Sequence, residues 1–126
     1  MKQSLLLSVF VALCVSCSKP IPELTGIDLT IWKNDLRGCS GNREKYVEDL
    51  RIQRDKLKGL SERDLVKLLG SPDQTDLSEH HEKFYYYFIT PAGDCVKGDS
   101  ALTSLVVRFN ATGVSKEVTI DQKTLK

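Results

Sequence analysis

Hydrophobic and polar residues change their spacing twice along this chain of 126 residues. Leu5 to Val15 form an unbroken apolar run, preceded by Lys2. Polar residues follow, with Pro20, Pro22 and Gly26, and predict an extended tether over residues 17–27. Order is expected from about Asp28. The segment from Leu29 to Asp35 predicts a short helical turn or loop that plugs Trp32 into a core, and Gly38-Cys39-Ser40-Gly41 is a break. Asn42 then reads as a helix N-cap. Over residues 43–57, Tyr46, Val47, Leu50 and Leu57 fall near one face at helical spacing. Arg43, Glu44, Lys45, Glu48, Asp49, Arg51 and Arg54 are expected on the solvated sides. A second helix begins at Ser61, a capping residue, and buries Leu65, Val66, Leu68 and Leu69. Gly70 stands where a left-handed residue closes a helix, and Pro72 prevents continuation.

Beyond Pro72 the period becomes two. Residues 83–89, 102–109 and 114–120 predict three strands, separated by a loop over 90–100 and a tight hairpin at Asn110-Ala111-Thr112-Gly113. The fold class expected is α+β: two N-terminal helices packed on a three-stranded antiparallel sheet, in two layers. Phe84, Tyr86, Phe88, Leu105, Val107, Phe109, Val118 and Ile120 are expected to face the helices. The opposite face then shows Tyr85, Tyr87, Val106, Arg108 and Glu117. Tyrosine and arginine are favoured in protein contacts, which makes Tyr85, Tyr87 and Arg108 the candidate partner-binding residues. The plain alternative is a half-exposed sheet whose aromatics pair across strands.

The apolar N-terminal run gains meaning from its end, Cys14-Val15-Ser16-Cys17-Ser18. It has about the length of a signal h-region and falls short of the roughly 20 residues that span a bilayer. The arrangement resembles a bacterial lipobox. That resemblance implies a lipoprotein signal peptide at residues 1–16 and palmitate-type acylation of Cys17. Several chains on one cysteine make a durable anchor, because each buried methylene contributes about 0.8 kcal/mol. A membrane-spanning helix, and cleavage without lipidation, are the competing readings. Ser18 is unlike the aspartate of an inner-membrane retention signal, so the outer membrane is the expected location. Residues 28–126 form one domain after the tether at 17–27. In an oxidising compartment the remaining pair, Cys39 and Cys95, is expected to form a disulfide, with two unpaired buried cysteines as the alternative. The bridge would close a loop of about 55 residues, worth about 3–4 kcal/mol in the chain-entropy model.

The segment from Leu57 to Asp73, whose helix ends in Leu69-Gly70-Ser71-Pro72-Asp73, resembles the helix-to-turn signature of the SmpA/OmlA-like lipoproteins. That family includes the small E subunit of the outer-membrane β-barrel assembly machinery. The two-helix, three-strand layout is similar to one repeat of the β-lactamase-inhibitor-protein fold. The resemblance covers roughly residues 57–120 and marks a fold, so it carries no reaction and no catalytic residue.

Charge and chemistry narrow the class further. Lysine plus arginine total 18 against 17 for aspartate plus glutamate, so no basic field favours nucleic acid. His80 and His81 are adjacent and point apart in extended chain, which disfavours a shared metal ion. Asp94 and Asp99 flank a polar loop with no apolar pocket implied. No nucleophile elbow and no glycine-rich phosphate loop occurs. No cofactor or metal is expected. The resulting expectation is a non-enzymatic, lipid-anchored envelope protein with an envelope protein partner, a small binding or scaffolding domain for outer-membrane assembly or maintenance. The alternative is an inhibitor-like domain that captures a secreted or periplasmic enzyme.

Overall fold

The computed structural model describes residues 19–96 and 101–124. Residues 1–16, where a signal peptide is expected, and Cys17 lie outside the described residues. Helix α1 spans Leu29–Asn34, α2 Val47–Gln53 and α3 Glu62–Leu69. Strands β1 (Gln74–Leu77), β2 (Lys83–Phe88), β3 (Ala101–Phe109) and β4 (Ser115–Thr124) pair in the order β1-β2-β3-β4. All three pairings are antiparallel. The class is α+β, with four strands where three were expected and a short extra helix ahead of the two.

Local chemistry explains where each helix begins. The Asp28 carboxylate accepts the Thr30 and Ile31 amides and starts α1, which places Trp32 in the core, 0% exposed. The Ser61 hydroxyl accepts the Asp64 amide at 3.1 Å and starts α3, whose Leu65, Leu68 and Leu69 are buried. Gly70 closes α3 at φ +83°, a conformation that favours glycine.

The helical stretch expected over 43–57 is less regular. It runs as a 3-10 turn (Arg43–Tyr46), then α2, then another 3-10 turn (Arg54–Leu57). Asn42 makes no side-chain cap there. Asp35, 1% exposed, serves instead. Its two oxygens accept the amides of Ser40, Asn42 and Arg43 at 2.7, 2.8 and 2.9 Å. Packing also begins before Asp28. Leu24 and Ile27 join the core, and Gln53 exchanges two hydrogen bonds with the Thr25 backbone.

Two strand differences have clear causes. The Gln-Thr-Asp-Leu of β1 is polar and exposed along its whole length, so backbone pairing with β2 defines it and side-chain period does not. β4 continues beyond residue 120 through Asp121, Gln122 and Lys123, which pair with Ser104, Thr103 and Leu102.

The larger correction concerns the phase of β2. Tyr85 and Tyr87, expected on the open face, lie on the helix side. Tyr87 is fully buried, and Tyr85 packs edge-on against Phe109 with ring centroids 4.7 Å apart. Ile89, at the same parity just past the strand, is 1% exposed. Phe84, Tyr86 and Phe88 take the open face instead. A shift of one residue exchanges every side chain of a strand between faces. The tyrosines can turn inward because the helix side supplies acceptors. The Tyr87 hydroxyl donates to the Gly70 carbonyl at 2.9 Å, and the Tyr85 hydroxyl donates to Glu62 at 2.9 Å.

Candidate interaction face

A buried polar cluster fixes how the sheet meets the helices. Arg43, expected in solvent, is 1% exposed. Its guanidinium lies 4.7 Å from the Trp32 ring centre and pairs with Asp73 at 2.6 Å. Nε donates to the Trp32 carbonyl and Nη1 to the Phe88 carbonyl. Asp73, the last residue of the helix-to-turn signature, accepts the amides of Arg37 and Phe88. Both charges are therefore paired and hydrogen-bonded, Arg43 through Nε and Nη1 and Asp73 through both carboxylate oxygens, the condition under which burying them is tolerable. The cluster holds both backbone polar groups of Phe88 and so sets where the outer side of β2 ends.

The Cys39–Cys95 disulfide lies beyond that cluster, with Cα atoms 5.8 Å apart. It ties the turn after α1 to the loop after β2. Gly38 is required between them. A side chain there would meet the Ile89 carbonyl oxygen at 2.6 Å, and its φ is +65°. Arg37 adopts φ 57°, and its carbonyl accepts the Ala92 amide at 3.1 Å.

The strand register lays out the open face in rows. Asp76, Phe84, Arg108 and Glu117 form one row across the four strands. Gln74, Tyr86, Val106 and Thr119 form the next. Phe88, Ser104 and Asp121 follow, and Leu102 faces Lys123 beyond them. Phe84 and Tyr86 stack with centroids 6.5 Å apart. Val106, the cross-strand neighbour of Tyr86, is 8% exposed although no helix among the described residues covers it. A shallow cleft runs over Tyr86, Phe88 and Val106, with Gln74 and Asp76 on one side and Asp121 and Lys123 on the other. At the disulfide end it continues past Phe88 and Leu102 to Arg37.

Arg108 lies on this face, where it was expected. It is held by Glu82 at 3.1 Å and Glu117 at 3.2 Å. Burial raises the Tyr86 hydroxyl above its ordinary pKa, and the Asp76 charge adds to the effect. On the other side of β2, burial first and the bond to Glu62 second push Tyr85 up to about 12. Burial likewise pushes Tyr87 upward. The hydrogen bond from Lys83 holds Glu62 below the usual carboxylate range.

The remaining candidates lie apart. His80 and His81 are exposed in the turn between β1 and β2, and Asp94 is exposed near Cys95. Asp99 lies outside the described residues. Among the described residues, no group of three or more histidine, cysteine or acidic side chains is placed to hold a metal ion. No helix among them is long and apolar enough to cross a membrane.

Of the sequence candidates for partner contact, only Arg108 shares the open face with the aromatic row. Phe84, Tyr86 and Phe88, expected against the helices, form that row. A signal to the contrary was present, since Ile89, the aliphatic residue of the run, shares its parity with Tyr85 and Tyr87. No family model matches the chain, nor does any curated protein or solved structure.

Proposed function

We propose that this chain is a lipid-anchored, non-enzymatic binding or scaffolding domain of the bacterial envelope, of the SmpA/OmlA type. The observation that carries the reading is the row Phe84, Tyr86 and Phe88 beside Val106, which no helix among the described residues covers. Aromatic side chains on a rigid strand lose little conformational freedom on contact and are favoured at the centres of protein interfaces. The lipobox-like segment at Cys17 supplies the location. A tether ending near Leu24 leaves the domain close to the membrane that holds it. Proteins of the outer-membrane assembly apparatus are the partner class that the resemblance implies.

The test is cross-linking in native membranes, followed by purification of the full chain. The parent should recover β-barrel assembly proteins, and Tyr86→Ala with Phe88→Ala should lose them while remaining membrane-bound. Cys17→Ser should release the protein from membranes. Recovery of a secreted hydrolase instead would favour the inhibitor-like alternative. Full membrane association of Cys17→Ser would remove the lipid anchor from the reading.

A further inference from the structure

The charges around the open face do not balance, and we infer from them the kind of partner it takes: a polypeptide segment that lays apolar side chains on Tyr86, Phe88 and Val106 and carries an excess of lysine or arginine. This rests on the reading of the open face as the contact surface and adds to it the chemistry of the other side.

Four carboxylates border the aromatic row among the described residues: Asp76, Glu82, Glu117 and Asp121. Two cations, Arg108 and Lys123, stand against them. The charge of Arg108 is already shared between Glu82 and Glu117. Asp76 and Asp121 have no ion-pair partner among the described residues, and both are exposed at the two margins of the cleft. Counting Arg37 at the disulfide end still leaves a carboxylate in excess. Among the described residues the field over the rings is therefore negative.

That sign discriminates among occupants. A nucleic acid, a phosphate group or an anionic lipid headgroup would bring like charge to Asp76 and Asp121. A second copy of this chain, docked through the same face, would set one excess of carboxylates against another, offset in part by Lys123 beside Asp121. A basic segment meets opposite charge at Asp76 on one margin and at Asp121, beside Lys123, on the other, with apolar surface between them. The rim charges act mainly on encounter rate and selectivity, with the central rings supplying the contact area. Binding should therefore weaken with added salt.

The experiment places the photoreactive residue p-benzoyl-phenylalanine at position 86 of the full lipidated chain and irradiates native membranes. The cross-linked peptide is then identified by mass spectrometry. The expected adduct is a protein segment with more lysine and arginine than aspartate and glutamate. Its yield should fall roughly fivefold when Asp76→Asn and Asp121→Asn are combined, and its dependence on salt should flatten. Both carboxylates are exposed, so the doubly neutral protein should keep the parent's thermal midpoint, measured as a control. A neutral or acidic cross-linked segment, an adduct with a second copy or with a non-protein molecule, or a yield indifferent to the two substitutions would overturn the charge inference alone. Absence of any adduct at position 86 would overturn the contact surface itself.

Discussion

Tyr86 and Tyr87 are neighbours in one strand and share one chemistry, yet their surroundings have little in common. Tyr87 is fully buried, 6.4 Å from the Trp32 ring centre, with its hydroxyl committed to the Gly70 carbonyl. Tyr86 stacks on Phe84 and lines an open cleft between Asp76 and Asp121. The inner side of β2 is thus specified by partners that already exist within the chain. The outer side has rings, rim charges and no covering element among the described residues. Substitutions should separate the two, with large losses of stability on one side and loss of partners on the other.

The largest effect is expected from Asp73→Ala. It would leave Arg43 charged, buried and short of its ion-pair partner, and should cost about 3–5 kcal/mol in urea denaturation. A loss no greater than that of an exposed residue would mean that the buried cluster does not organise the inner side. Removing the disulfide with Cys39→Ser and Cys95→Ser comes next. The reduced loop regains freedom in the unfolded chain, and the cost should be about 2–4 kcal/mol, read from the same denaturation curves. An unchanged midpoint would contradict that role.

Tyr87→Phe removes one hydroxyl from a buried position and leaves the Gly70 carbonyl without its donor, for an expected loss of about 1 kcal/mol. Alkaline pH sharpens the same contrast. The folded protein holds Tyr85 at about 12 against an ordinary 10.0, and burial raises Tyr87 as well. Both hydroxyls bind protons more tightly when folded. Their contribution to stability is therefore complete below pH 10 and is lost as the pH rises from there through the folded values. Denaturation midpoints should fall over that interval, and less so when both residues are phenylalanine. An equal fall in the substituted protein would assign the alkaline loss to other groups.

The same contrast explains what the sequence made legible. Helix α3 was readable because Ser61, the buried leucines and Gly70 each act within one or two turns. The antiparallel sheet was readable from residues 83–89, 102–109 and 114–120 because alternation is also local. β1 was not, since Gln74 to Leu77 owe their pairing to the backbone of β2. Arg43 looked like one more charge on a solvated helix because Asp73 lies 30 positions away in sequence. The phase of β2 failed for a related reason. Its run of aromatics offers apolar surface on both sides, and the acceptors that admit Tyr85 and Tyr87 belong to distant residues. The open face was therefore legible on β3 and β4, while on β2 it carries Tyr86 and not the expected Tyr85 and Tyr87.

The smallest expected effect on stability is also the most direct trial of this division. Tyr86→Ala gives up a half-exposed cross-strand ring, so its unfolding free energy should lie within about 1 kcal/mol of the parent's. Measured on the same protein, co-purification of envelope partners from cross-linked membranes should be lost. A parent-like set of partners, or a stability loss on the scale of Asp73→Ala, would contradict the assignment of the open face to binding.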